Sequence, residues 1–351
     1  MTTLKMILKT IDVIPMHHQD IPSQALQTLS PQSLFSDLPV GKIRFHLRAK
    51  KRLSPFFYAG SAWRGVLGWE MKALICPFEG HACSSCSIQS SCPYFGLFEK
   101  QTSLPGIQDA PRGYIIYPQQ EDTGHDLSLL VTLIGGCTAY SPVLIKSVVK
   151  AAQRGVGREG LRFSVQDVEQ CAPDIQSPAQ VPPPGQVAWP LKTWIQEKEK
   201  APAEIDLCLP TPLRVRRSGH YLDSLDWSFV LQTLARRLEA LHCIFAQGRP
   251  LGRETWTSLV QTCSSLCPSV QEQTRGQQEE SGQTWLTWRD LKRFSNRQGK
   301  KVPMGGLVGR VHLAHCHPWL MSWLQAAQVV HVGKGAAMGL GRMELRESMN
   351  A

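Results

Sequence analysis

The segment GKIRFHLRAKKRL, residues 41–53, constrains the fold most sharply. Ile43, Phe45 and Leu47 alternate with Lys42, Arg44, His46 and Arg48. This period of two predicts a strand with one buried face and one basic face. The next apolar residues, Trp63, Val66, Leu67, Met71 and Leu74, recur at helical spacing, with Ser61 placed to cap the helix. SLLVTLIG then reads as a buried strand, and SPVLIKSVVKAAQRGVG as a helix opened by Ser141 and Pro142 and closed by Gly155. LRFSVQDV alternates again. Strands and helices in this order predict a ferredoxin-like α+β unit.

The second half repeats the theme. IDLCLPTPLRVR is a strand running into a turn, WSFVLQTLARRLEALHCIFAQG an amphipathic helix ended by Gly248, and TCSSLCPSVQEQTRGQQEESGQ a polar surface excursion. MGGLVGRVHL and the segment from Val329 to Leu345 supply strands around the helix PWLMSWLQAA. The expected fold class is α+β, with two tandem ferredoxin-like domains, a Cys-rich insert in the first and a Gly-rich loop at the C-terminus. The expected boundaries are a leader over 1–37, a first domain over 38–172 with the insert at 76–92, a Pro-rich linker over 173–203, and a second domain over 204–351.

The 351 residues carry a net charge of +10. From Trp285 onward there are ten Lys or Arg against three Asp or Glu, so the last fifth of the chain holds most of the excess. A polyanionic partner fits this placement. The N-terminus lacks the apolar core of a signal peptide, and no run is long enough to span a membrane. A cytoplasmic location follows, where clustered cysteines are more often metal ligands than disulfides.

Cys76, Cys83, Cys86 and Cys92 lie within 17 residues, spaced C-x6-C-x2-C-x5-C, with His81 among them. Four thiolates suit a structural zinc, with all coordination positions filled. An iron–sulfur cluster also takes four thiolates, and four free cysteines are the plain alternative. His312, His315, Cys316 and His317 form either a turn between strand and helix or a second metal site.

In TWRDLKRFSNRQGKKVPMGGLVGRV, cations converge on Trp288, Phe294, Gly305 and Gly306. Basic side chains interleaved with rings suit single-stranded or hairpin nucleic acid, because cations meet phosphates and rings stack on bases. A solvated charged face is the alternative. Near the end, HVGKGAAMGLGRMEL places Gly333, Gly335, Gly339 and Gly341 around Lys334. No Walker pattern is present, and the loop does not lead into a second βα unit, so mononucleotide binding is not expected. His46 and His331 are the general-base candidates, although a lone histidine is more often structural.

Taken together, YAGSAWRG, TPLRV, the Arg-Phe-Ser-x-Arg-Gln segment and HVGKGAAMGLGR resemble the CRISPR-associated RAMP-superfamily endoribonucleases that process precursor crRNA, the Cas-six family. The resemblance spans most of residues 38–345. It implies RRM-like domains, binding of a CRISPR repeat hairpin, and other Cas proteins of an effector complex as partners. It also implies cleavage with no metal required for catalysis, by 2′-hydroxyl attack that leaves a 2′,3′-cyclic phosphate. Trp69 stands where many relatives carry histidine, so His331, His46, Tyr58 and Arg64 are the catalytic candidates. Arg293, Ser295, Arg297, Gln298, Gly305, Gly306, Lys334, Gly339, Gly341 and Arg342 are the RNA-binding candidates. A non-catalytic RAMP subunit that binds crRNA is the runner-up. A zinc-stabilised DNA-binding module is disfavoured by the lack of a basic recognition helix.

Overall fold

The computed structural model describes residues 22–54, 58–78, 80, 82–100, 110–121, 123–173, 188–196, 204–267, 285–295, 299–314 and 316–347. Two short helices, α1 (Ser23–Thr28) and α2 (Pro31–Leu34), precede the first strand, β1 (Pro39–Ala49). Then follow α3 (Gly60–Ile75), β2 (Tyr114–Gln120), β3 (Asp126–Ile134), α4 (Ser141–Arg154) and β4 (Phe163–Cys171). The sheet order is β2-β3-β1-β4, and all pairings are antiparallel. A short strand β5 (Trp189–Pro190) adds to the start of β1.

The alternation in β1 does what the sequence predicts. Ile43, Phe45 and Leu47 are buried with Trp63, Leu67 and Met71 of α3 and with Leu144 and Val148 of α4. Lys42, Arg44 and His46 occupy the other face. Two helix starts differ from expectation. Helix α3 begins at Gly60, with Ala59 at the N-cap and no side-chain cap, so Ser61 lies inside the first turn. Helix α4 begins at Ser141 itself because a 3-10 turn over Gly135–Tyr140 runs directly into it. Strand β2 was not legible. Its sequence YIIYPQQ does not alternate, and Pro118 argues against a strand except at a sheet edge, where β2 lies.

The second half contains β6 (Glu204–Leu213), the small hairpin β7 (Arg216–Arg217) and β8 (His220–Tyr221), α5 (Trp227–Phe245) and α6 (Arg253–Leu266). Next come β9 (Trp285–Arg289), the hairpin β10 (Lys292–Ser295) and β11 (Lys300–Pro303), β12 (Gly306–Ala314), α7 (Pro318–Val330) and β13 (Glu344–Glu347). Its sheet order is β13-β6-β12-β9, again wholly antiparallel. Thr262 to Cys267, expected in a polar excursion, belong to α6 and its C-cap. Only the last part of the 329–345 segment is a strand, since a chain of turns fills the space between α7 and β13.

The two halves share a core. Leu29 and Phe35 of the expected leader pack with α5 and α7, as do Leu191 and Ile195 of the expected linker. Both segments thus contribute side chains to the core. Among the described residues no helix is long and apolar enough to cross a membrane. The whole is a mixed helix-and-sheet fold built on antiparallel sheets.

Candidate functional site

The glycine-rich segment after α7 is a joint between the two halves. The Gly60 backbone lies so close to Met338 that a Cβ there would stand 2.0 Å from the Met338 carbonyl oxygen. The Tyr58 hydroxyl donates to that same carbonyl. The Thr211 hydroxyl donates to Gly339 O at 2.9 Å and accepts the Arg342 N–H at 3.0 Å. Lys334 N–H reaches Arg214 O at 2.8 Å, and Gly341 N–H reaches Pro212 O at 3.0 Å. Gly341 has φ +65°, and a Cβ there would meet Val332 O at 1.8 Å. Glycine is required here because protein backbone approaches on all sides.

The charges of this turn are unevenly available. Arg342 is mostly covered. Its Nη1 donates to Gln328 O at 3.1 Å, Nε lies 3.4 Å from Glu344, and the guanidinium sits 5.1 Å from the Tyr117 ring centre. Lys334 is exposed. Gly305, Gly306, Gly339 and Gly341 are buried.

Tyr58, Arg64 and Arg293 come together beside this turn, along with a residue that sequence reasoning did not single out, Arg214. Arg64 Nε donates to the Tyr114 hydroxyl at 2.9 Å. Arg214, at the end of β6, donates from Nη2 to Pro303 O at 3.1 Å and stacks 4.6 Å from the centre of Tyr221. Partial burial lowers the Arg293 pKa, and the neighbouring charges of Arg64 and Arg214 lower it further. Burial pushes the Tyr58 hydroxyl far up, so it is a donor and not a base. Arg214 lies within the quoted TPLRV, but one cation at a strand end carries no signal of its own.

The β10–β11 hairpin extends outward from this cluster. Arg293 pairs with Val302, and Phe294 with Lys301. Phe294 is 60% exposed, and Trp288 and Trp285 are also exposed. Lys292, Lys300 and Lys301 are exposed around them. Arg297, Gln298 and the Ser295 side chain lie outside the described residues.

Neither histidine joins the cluster. His46 is on β1, on the sheet face away from α3, with Nε2 3.6 Å from Glu169. His331 is 1% exposed, with Nδ1 3.2 Å from Leu340 O and its ring 5.8 Å from Tyr117. Burial first, then the charge of Arg342, drives its pKa well below the ordinary range. An imidazole sealed in this way has no route to a substrate. His312 is a strand residue of β12, 3.2 Å from the buried Asp206, whose carboxyl is held low chiefly by Arg310. His317 caps α7 by accepting Trp319 N–H at 3.1 Å, and His315 is outside the described residues.

The metal expectation is corrected. Cys76, Cys83, Cys86 and Cys92 are half-buried free thiols. Among the described residues no group of three or more His, Cys, Asp or Glu is arranged to hold a metal ion. A structural zinc or an iron–sulfur cluster at these thiols is therefore not supported. The turns that carry them pack beside Tyr94 and Phe98, whose rings stack 5.5 Å apart. His81 lies outside the described residues.

No curated protein matches the chain. A Cas6 product complex resembles it at 12% identity, covering 88% of this chain and 99% of that one, with a TM-score of 0.49. Thermus thermophilus Cas6 does so at 13% identity, with the same coverages and TM-score. A partial Cas6-RT-Cas1–Cas2 complex also aligns at 13% identity over 92% of this chain and 48% of that one, with a TM-score of 0.47. A model described as an N-terminal domain matches residues 38–189. The model of the CRISPR-associated endoribonuclease Cas6 matches residues 207–343, the stretch that holds Arg214, the basic hairpin and the glycine turn. Residues 207–343 thus form a domain of the Cas6 family of CRISPR-associated endoribonucleases.

Proposed function

We propose that this protein binds CRISPR repeat RNA and cuts precursor crRNA at the seam beside the glycine turn. The observation that carries the reading is the convergence of Tyr58 and Arg64 from the first half with Arg214 and Arg293 from the second. The exposed rings and lysines of the β9–β11 region lie next to it. We read the two sheets as tandem ferredoxin-like domains, a reading supported by their matching strand orders.

The nucleophile is the RNA's own 2′-hydroxyl, which attacks the adjacent phosphate, expels the 5′-oxygen and leaves a 2′,3′-cyclic phosphate. No metal-bound water is needed. Cations that meet the charge developing on phosphorus supply the stabilisation. Tyr58 and Arg64 are better placed for this than His46 or His331. Among the RNA-binding candidates, Arg293 and Lys334 are assigned phosphate contacts, while Gly305, Gly306, Gly339, Gly341 and Arg342 shape the surface that bears them. Other Cas proteins are the expected partners beyond RNA.

Purified protein should cut labelled repeat RNA at one position in excess EDTA. A single 2′-deoxy substitution 5′ of the cut should abolish cleavage and spare binding. Cleavage of the deoxy RNA, or loss of cleavage in EDTA with the fold intact, sinks the mechanism. The runner-up, a crRNA-binding subunit without activity, is favoured by one observation: among the described residues no exposed histidine stands at the seam. Absence of any cut in native repeat RNA would make it the better account.

A further inference from the structure

Arg214 is 7% exposed, yet its Nε is buried without a hydrogen-bond partner. Among the described residues no carboxylate pairs with Arg64, Arg214 or Arg293. A buried guanidinium N–H left without a hydrogen bond is desolvated with no compensation at that atom. The surroundings also hold the side chain in place. A Cβ on Gly306 would stand 2.8 Å from Arg214 Cγ, and the Arg214 carbonyl accepts the Lys334 N–H. The Tyr221 ring covers one side of its guanidinium, and Pro303 O takes one N–H. Met304 N–H closes the hairpin base on Leu291 O at 2.6 Å, so the strand bearing Arg293 is tied to the one that Arg214 touches. A cluster of like charges, fixed by backbone and lacking an anion of its own, is organised for one.

We propose that Arg214, flanked by Arg64 and Arg293, forms the floor of a seat for one phosphodiester group. In RNA cleavage, an assignment that rests on the reading above, this is the phosphate being cut. Arg64 and Arg293 are half-buried and form the walls, and Arg214 supplies fixed charge from below. The Tyr58 hydroxyl, held by Met338 O, borders the seat on the side of the first half.

The test compares the full-length protein with Arg214→Lys, which keeps the charge and loses the planar fork. Two readouts are used. Inorganic phosphate should raise the melting temperature of the wild type in a saturable way, and Arg214→Lys should lose the saturable part. Single-turnover cleavage of repeat RNA should fall about 100-fold in Arg214→Lys, the scale of one lost oxyanion donor. Affinity for the uncleavable 2′-deoxy RNA should change less than tenfold. Added guanidinium should restore part of the rate to Arg214→Ala, a rescue that a purely structural role would not give. Wild-type cleavage by Arg214→Lys overturns the proposal, as does unchanged phosphate stabilisation. If the wild type cuts nothing but phosphate stabilisation depends on Arg214, the seat stands and the cleavage reading falls. If Arg214 variants do not fold, Arg64→Gln and Arg293→Gln take their place. Both must then weaken the phosphate effect, and indifference in both overturns the proposal.

Discussion

The glycine turn and the β10–β11 hairpin both look in sequence like places that hold RNA, being glycine-bearing and basic. In the structure they are opposites. In the turn from His331 to Arg342, Gly341 meets the Val332 backbone, Gly60 meets Met338, and Arg342 is tied to Gln328 and Glu344. In the hairpin, Phe294 stands exposed, and a Cβ on Gly299 would meet nothing within 4 Å. The turn makes the joint, and the hairpin presents the surface. Glycine in a basic stretch therefore does not by itself mark a ligand loop. What distinguishes the two is whether the backbone space is filled by the protein's own carbonyls.

The sharpest way to break this comparison is one methyl group in each region. Gly341→Ala combines a positive φ with a Cβ placed 1.8 Å from a carbonyl oxygen, so it should cost at least about 3 kcal/mol. Gly299→Ala also has a positive φ, +61°, but open space, and should cost about 1 kcal/mol. Denaturant midpoints of the two variants measure the difference. Equal losses would mean that the turn is not a packed joint.

Removing rings sharpens it from the other side. Phe294→Ala should leave stability nearly unchanged and Trp288→Ala should cost little, because the rings are 60% and 41% exposed. Each should weaken repeat-RNA binding by roughly 1–3 kcal/mol if a base stacks there. Fluorescence anisotropy with the uncleavable deoxy RNA reads this directly. Unchanged affinity in the double variant would reduce the hairpin to a solvated charged face.

The first sheet was legible because β1 alternates over its whole length and α3 and α4 have clear apolar stripes. Strand β2 was not, since its residues are buried on both faces and show no period. The packing of Leu29, Phe35, Leu191 and Ile195 was hidden for another reason: short apolar groups amid Pro- and Gln-rich sequence carry no local pattern, and only the tertiary core reveals them. At the candidate site, sequence motifs nominate Tyr58, Arg64 and Arg293, whereas Arg214 needed its burial and its unmatched Nε. The cysteine spacing suggested a metal because spacing says which ligands are available and not whether the chain folds them around one point.

The smallest effect belongs to His331, which separates a buried structural imidazole from a catalytic one. Its folded pKa is depressed by burial and by Arg342, then by Arg237 and Lys42, while Leu340 O acts in the opposite direction. The unfolded chain has the ordinary value of 6.5, so below that pH it binds a proton that the folded protein refuses. Stability from this group is therefore full above pH 6.5 and falls as pH drops from 6.5 toward the depressed folded value, by up to about 1.4 kcal/mol per pH unit. Lys42 does not reverse the trend: burial, then Arg342, lowers its pKa to about 7, so its own loss of stability also begins as the unfolded chain takes up protons, but at a higher pH. His331→Gln should flatten the slope between pH 6.5 and 5 while leaving the cleavage rate at neutral pH within a few-fold of wild type. A general base would instead cost 100-fold or more, roughly, on removal. A rate loss of that size, in a variant whose melting temperature at pH 8 matches the wild type, would return His331 to the active site and require the turn to open in the complex.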